Sequence, residues 1–291
     1  MKDSQLHLIG YASGIAGVDV GCGEGPLVIK NSPYLIQSNI NLKWDAMITT
    51  AVDKTLRQDE MIKASCEELA HETAILTQKK QFFTVIGGDH SCAIGTFSGV
   101  YDAMHQQGDI GLIWIDAHMD SHTPETSESG HIHGMPLAVL MGFGYPTLTM
   151  MAHPSPKLKP ENVCLIGVRS FERGEEAFLK RHHVKIYFMD EVKQRGFQTI
   201  LQEAKAIVSE HTVAYGISID LDSIDPQDAP GVDVPEPHGI LAKDIYQGML
   251  MIINDPHIVA LELTEFNPLK DKNHITEKLI ISFLEMLAKH R

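Results

Sequence analysis

Two short acidic segments occupy matching places in the chain. Asp116-Ala-His118-Met-Asp120 follows the apolar run Gly111-Leu-Ile-Trp-Ile115, and Asp220-Leu-Asp222 follows Tyr215-Gly-Ile-Ser-Ile219. In each, acidic or imidazole side chains recur at every second residue where an apolar strand ends. A period of two puts them on one face of a strand. Carboxylates gathered at the end of a buried strand are costly unless something positive compensates them. Two divalent cations would do so, and the pattern therefore predicts a binuclear metallohydrolase.

The rest of the chain reads as an α/β protein. Apolar strand-like runs recur at 6–11, 82–86, 111–115, 163–168, 184–188, 213–219 and 258–263, and helix-like stretches fall at 59–78, 174–181, 198–210, 242–254 and 275–290. Apolar runs without clean alternation, separated by helices, predict a parallel sheet covered on both faces. There is no linker, repeat or low-complexity tract, so the expectation is one domain spanning 1–291. Three polar loops rich in Gly or Pro (87–95, 121–135 and 223–239) follow strands. Ligand sites in open α/β sheets lie beyond the carboxyl ends of the strands, so these loops should carry the chemistry.

Composition narrows the partners. A formal charge of −14 argues against nucleic acid or an anionic membrane and favours cationic ligands. No apolar run is long enough to span a bilayer. The first residues lack the apolar core of a signal peptide. Cys22, Cys66, Cys92 and Cys164 are scattered without CxxC spacing, which reads as free thiols in a cytoplasmic protein.

The candidate ligands form a charge-balanced set. Gly87-Gly88-Asp89-His90-Ser91 follows a strand, so His90 emerges at the sheet's carboxyl edge beside the two acidic segments. Asp116, Asp120, Asp220 and Asp222 bring four carboxylates, His90 and His118 bring two imidazoles, and no Lys or Arg stands within these motifs. Two divalent cations would neutralise the set. Oxygen and imidazole donors without thiolate suit manganese or a similar ion better than structural zinc, although intrinsic affinity alone favours zinc or copper. The polar loop Thr123–Gly134, with its hydroxyls and histidines, fits a site that hydrogen-bonds a polar substrate. Glu265 ends the strand 258–263, where an acid could face a cationic group. Glu262 lies three residues earlier, which on a continuing strand would place it on the opposite face.

GGDHS (87–91), DAHMD (116–120), SGHIHGMPL (129–137), SIDLDSIDP (218–226) and ELTEFNP (262–268) together resemble the arginase/agmatinase/formimidoylglutamase family, in order and spacing, from about residue 8 to 268. The resemblance implies a three-layer α/β/α fold with a mostly parallel sheet of eight strands, assembled as homo-trimers or homo-hexamers. It also implies two Mn2+ ions per subunit, with other divalent ions such as Co2+ as substitutes. One ion would be held by His90, Asp116, Asp120 and Asp220, the other by His118, Asp116, Asp220 and Asp222. In that scheme a hydroxide between the metals attacks a guanidinium carbon. Asp120 holds it and passes its proton to the leaving amine, His133 shuttles protons, and Glu265 pairs with the guanidinium, giving urea and an amine.

The SGxxHGxPL loop is similar to the arginase branch, whose substrate is L-arginine. Ser127 and Ser129 would bind the α-carboxylate. Three positions depart from that branch: His122 and His131 stand where Asn is usual, and Glu172 stands where an Asp grips the α-amino group. The usual GTP reads Asp233-Val234-Pro235, which loses a hydroxyl. Competing expectations are a ureohydrolase acting on agmatine, guanidinobutyrate, another guanidino acid or formimidoylglutamate, and a non-catalytic metal-binding relative. A phosphoesterase lacks its Arg/Lys clamp here. Single-metal deacetylase-like enzymes do not match DAHMD plus DLD.

Overall fold

The computed structural model describes residues 5–291. Eight strands form one sheet: β1 (Leu6–Ala12), β2 (Leu42–Thr49), β3 (Phe83–Gly87), β4 (Ile110–Ile115), β5 (Val163–Val168), β6 (Lys185–Phe188), β7 (Ala214–Asp220) and β8 (Ile258–Thr264). Their order is β2-β1-β3-β8-β7-β4-β5-β6, and every pairing is parallel. Parallel neighbours require crossovers, and helices supply them. The larger ones are α1 (Gln58–Gln78), α2 (Cys92–Met104), α3 (Arg173–Arg181), α4 (Phe197–Ser209), α5 (Ala242–Ile252) and α6 (Ile275–His290).

Strand periodicity builds two cores. On β4, Ile113 and Ile115 face one side with Ile217, Ile219 and Leu261, where α4, α5 and α6 cover them. Leu112 and Trp114 face the other side with Val85 and Leu165, beneath α1 and α2. Both faces are therefore apolar, which is why the central strands read as continuous apolar runs. The architecture is the expected α/β/α sandwich.

Seven strands lie where the apolar runs place them, and the eighth is β2. That edge strand carries Lys43 and Asp45 and is mostly half-buried, so it shows no apolar run. His7 Nδ1 meets Asp45 Oδ2 at 2.7 Å across the β1–β2 pair. Helix α2 begins inside the segment expected to be loop. Its residues Cys92–Val100 are all buried, and Gly95 and Gly99 lie against α1, so it lacks an amphipathic stripe. Among the described residues no helix is long and apolar enough to cross a membrane. All four cysteines are buried free thiols.

The strand order sets the site. β3, β8, β7 and β4 are consecutive neighbours at the middle of the sheet, and their carboxyl ends carry His90, Glu265, Asp220 and Asp116. The register Ile115↔Ile219 puts Asp116 beside Asp220, and Ile86↔Leu263 brings the turn after β3 beside the end of β8. That turn is locked. Gly88 N donates to Tyr11 O, Asp89 N donates to Ser13 O, and Glu265 N donates to Gly88 O at 2.7 Å. A Cβ on Gly88 would lie 2.0 Å from Ser13 O, a backbone atom that already accepts from Asp89 N. Gly88→Ala should therefore destabilise the protein by roughly 2–4 kcal/mol. Urea denaturation measures this, and a loss below about 1 kcal/mol would show that the turn can relax.

Candidate metal centre and substrate pocket

Each acidic segment presents its side chains through local backbone bonds. Asp116 Oδ1 accepts His118 N at 2.7 Å, and Asp220 Oδ1 accepts Asp222 N at 2.9 Å. Each aspartate thus caps the turn that carries its own partner, and its other oxygen faces His90. Asp120 has a φ of 46°, an uncommon conformation for a non-glycine residue, of the kind often found at functional sites.

These turns bring the six residues into two clusters. His90, Asp116, Asp120 and Asp220 offer donor atoms within 4.8 Å of one another, and so do Asp116, His118 and Asp222. Asp116 belongs to both. Asp220 groups with the first cluster only, so its expected bridging role is not part of this grouping. His90 Nδ1 lies 3.3 Å from Asp116 Oδ2, 3.0 Å from Asp120 Oδ2 and 2.9 Å from Asp220 Oδ2. Yet none of these contacts is aligned as a hydrogen bond, and the nitrogen is buried without a partner. A lone pair aimed among three carboxylates is the arrangement a cation completes. His118 Nδ1 similarly lies 3.0 Å from Asp222 Oδ2. The donor set therefore fits divalent cations in both clusters.

The surroundings orient these ligands. His90 stacks on Trp114 with ring centroids 4.1 Å apart, and Trp114 Nε1 donates to Asp116 Oδ2 at 2.8 Å. The Ser218 hydroxyl donates to Glu262 Oε1 at 2.7 Å and lies 2.8 Å from His90 Nε2. With the hydroxyl proton directed to Glu262, Nε2 carries the ring proton and Nδ1 is left as the ligand. Glu262 is thus behind the centre rather than on an opposing face. The expectation that Glu262 and Glu265 diverge presumed a continuing strand; Glu265 has a φ of 65°, just past the end of β8, and turns back toward His90. Its Oε1 accepts His90 N at 2.8 Å and lies 3.1 Å from His133 Nδ1.

Arg169 is a residue that the motifs did not reveal. Standing just past β5, its half-buried guanidinium donates to the carbonyls of Gly167, Asp222, Ser223, Glu236 and Pro237. It therefore clamps the backbone of the second acidic segment and places a fixed cation beside it. Only the crossing of loops from β5 and β7 reveals this, because Arg169 carries no motif of its own.

Charge and burial shift the site's protonation. Burial, and then the charge of Asp116, push the Asp120 carboxyl up to about 7. Burial and the neighbouring Asp222 and Asp116 raise Asp220. Burial opposes charging His133, but Glu265 and then Asp120 outweigh it and raise the ring to about 9.

A cavity of about 410 Å³ opens above the clusters. Its floor holds His118, Asp120, Asp220, Asp222 and Glu265, and its walls hold His122, Ser127, Ser129, His131, His133 and Glu172, so every wall residue expected from the sequence lines one space. Ser127 Oγ accepts Gly130 N at 3.0 Å and Ser129 Oγ accepts His131 N at 3.3 Å, which fixes the loop between them. Glu175 was not foreseen. His122 Nε2 lies 3.2 Å from Glu175 Oε2 and 3.5 Å from Glu172 Oε2. Glu175 is 5% exposed against 55% for Glu172, so Glu175 is the firmer partner. Its Oε1 accepts Ser121 N and its Oε2 accepts Glu172 N, each at 3.2 Å. A signal existed in the capping box at the start of α3, where Glu175 is three residues after Glu172.

Known proteins resemble the chain in sequence and in fold. Residues 4–288 match the model of the arginase family. The chain is 39% identical to the arginase of Bacillus subtilis (strain 168), covering 98% of each chain. It is 42% identical to the arginase of Bacillus caldovelox over 81% of this chain and 78% of that one. The crystal structure of arginase from Bacillus subtilis superposes with a TM-score of 0.88 at 33% identity, covering 99% of both chains.

The protonation state makes a prediction about cation uptake. Burial disfavours charge on His90 and His118, but the carboxylates around them outweigh it, and both rings hold protons well above the ordinary histidine range. A cation needs the same lone pairs, so uptake must expel protons and affinity must rise with pH. Calorimetric titration with manganese at pH 7, in buffers of different ionisation enthalpy, should show release of about one proton or more per chain. A heat independent of buffer would mean that these rings are already neutral.

Proposed function

Because the chain belongs to the arginase family, we propose that it is a divalent-metal amidinohydrolase that cleaves L-arginine to urea and L-ornithine. The observation that carries this reading is the pair of His/Asp clusters sharing Asp116 on the floor of a cavity whose lining, among the described residues, holds several carboxylates and no Lys or Arg. Such a lining suits a small substrate with a guanidinium at one end and an ammonium at the other. We assign two manganese ions to the clusters, with cobalt as a substitute. His90, Asp116, Asp120 and Asp220 would hold one, and Asp116, His118 and Asp222 the other, with Asp220 reaching it as the resemblance implies. Bound there, cations would supply Lewis-acid charge and lower the pKa of a bound water.

The chain's own residues do the rest. Glu265, anchored through one oxygen by His90 N and His133, has a second buried oxygen without a partner, and this oxygen receives the guanidinium N–H groups. Asp120 accepts the proton given up by the attacking water and returns it to the leaving amine as the C–N bond breaks. His133, within hydrogen-bond distance of Glu265 and lining the cavity, carries protons between the site and solvent. Ser127 and Ser129 hydroxyls bind the α-carboxylate, and Glu172 with Glu175 faces the α-ammonium. The same reading places residues 1–291 in one unit that assembles as a homo-trimer or homo-hexamer in the cytoplasm.

A urea-release assay of the manganese-loaded protein tests this function. L-arginine should give the highest kcat/KM, and a preference for agmatine or guanidinobutyrate would overturn the substrate assignment. That second reading is favoured by His122, His131 and Glu172, which depart from the arginase-branch pattern while sparing the clusters. Asp120→Asn should keep the fold and lower kcat by about 10²–10⁴-fold, the usual contribution of a positioned proton carrier. A variant retaining more than about a tenth of kcat would remove Asp120 from that role.

The substrate's amino-acid end should be gripped loosely. His122 is tied to Glu175, and the carboxylate of Glu172 stands one methylene further out than that of an aspartate. A misplaced charged hydrogen bond costs about 1–3 kcal/mol, or roughly one to two orders of magnitude in KM. His122→Asn combined with Glu172→Asp should therefore lower KM for arginine more than it changes kcat. Equal changes in both would mean that these residues act on the chemistry as well.

A further inference from the structure

Around Glu265 lies a third group of donors, two of which the proposed reaction does not use. Cys22, Asp233 and Glu265 each offer one ligand atom, all within 4.8 Å of one another. Cys22 is fully buried, in the short helical turn Val20–Glu24. Asp233 has a side chain only 1% exposed. Its Oδ1 accepts from Asn267 Nδ2 and from Lys270 Nζ, the latter at 2.7 Å, while its Oδ2 is buried without a partner. Glu265 shows the same asymmetry, with Oε1 engaged and Oε2 orphaned.

A buried carboxylate oxygen without a partner is expensive. A substrate guanidinium accounts for the one on Glu265 but not for the one on Asp233, which does not line the cavity. The group is held rigidly. A Cβ on Gly21 would lie 2.5 Å from Asn267 Nδ2, so the turn carrying Cys22 packs directly on the amide that holds Asp233. The antiparallel bridge Val232↔Phe266 fixes Asp233 alongside Glu265.

We propose that Cys22, Asp233 and Glu265 form a third cation site, selective for a thiophilic divalent ion of the zinc type and separate from the two His/Asp clusters. One thiolate and two carboxylates leave a fourth position open, which matches tetrahedral zinc coordination. The thiolate discriminates against manganese and magnesium, which prefer oxygen donors. Glu265 lines the cavity, and so do Val18 and Val234, which gives an ion a way in. Binding displaces the thiol proton to solvent. It also takes Glu265 away from the guanidinium, so the bound ion competes with substrate; this inhibition, unlike the binding itself, rests on the function proposed above.

Cadmium is the probe, because its bond to thiolate gives an ultraviolet charge-transfer band. The full-length, manganese-loaded protein should take up about one cadmium per chain with the band, while retaining its manganese. Cys22→Ala should lose the band, and Asp233→Asn should weaken binding by about tenfold or more. Cys22→Ser carries the test if the alanine variant does not fold. In wild type, cadmium should raise the apparent KM without changing kcat, and in the Cys22 variant it should not. The site is refuted if no band forms, if the band survives in the Cys22 variants, or if cadmium enters only by displacing manganese. A band without urea release from any guanidino compound would refute the proposed function and leave the site standing. Urea release without a band would do the reverse.

Discussion

Repulsion among buried carboxylates is the constraint around which this molecule is arranged. Asp116, Asp120, Asp220 and Asp222 are all less than a tenth exposed and converge at the carboxyl ends of neighbouring strands. At an effective dielectric of about 20, two unit charges 4 Å apart interact by roughly 4 kcal/mol, so four such groups cannot ionise together without compensation. The structure answers in layers. His90 and His118 face the carboxylates directly. Arg169 brings a fixed charge to the carbonyls behind Asp222. The two clusters offer the donors with which cations would complete the balance. The histidine contacts resemble salt bridges by distance, but His90 Nδ1 has no aligned hydrogen-bond partner, so the proton it holds is one that a metal could displace.

Holding such a cluster requires backbone that cannot drift, and parallel pairing provides it. A one-residue slip between β4 and β7 would turn every side chain on one strand to the other face and remove Asp116 from Asp220. Trp114 resists that slip twice, by stacking on His90 and by donating to Asp116. Beyond the strand ends, strain replaces pairing. Asp120 and Glu265 both adopt positive φ, an arrangement that costs about 1–3 kcal/mol each and persists only where surrounding contacts impose it. Leu137 N donates to Asp120 O, and Glu265 N donates to Gly88 O, so each strained residue is tied to a neighbouring loop.

The candidate metal centre was legible in the chain because its residues gather where apolar strands end, although turns rather than strand carry the spacing: β4 stops at Ile115, Asp120 has a positive φ, and Asp222 lies in a short helical turn. Strand period two misled where the backbone left the strand without such a marker. Glu262 and Glu265 looked opposed under period two, and the positive φ at Glu265 turns it back to the His90 backbone N–H at the cavity floor, while Glu262 reaches the His90 ring from behind through Ser218. β2 was hidden because an edge strand needs little apolar surface, and α2 because a helix buried all round has no stripe. Arg169 and Glu175 were invisible for another reason: each owes its place to contacts between loops distant in sequence, which no local pattern encodes.

Chemistry and substrate grip are therefore built on different foundations. The six candidate ligands sit on or within a turn of the central strands, and their positions follow from sheet register. His122, Ser127, Ser129, His131 and Glu172 lie on loops whose geometry depends on short local bonds, such as Ser127 Oγ to Gly130 N. Loops over a rigid sheet tolerate substitution because few buried contacts depend on them. His122 and His131, where the resemblance implies amides, make no contact with the strands' pairing, the Trp114 stack or the Ser218–Glu262 relay. The Glu175 carboxylate shows how such a change becomes fixed: buried, bonded to two backbone N–H groups and 3.2 Å from His122, it gives the imidazole a partner an amide would not need. The loop end of the cavity can thus change while the sheet register keeps the two His/Asp clusters in place.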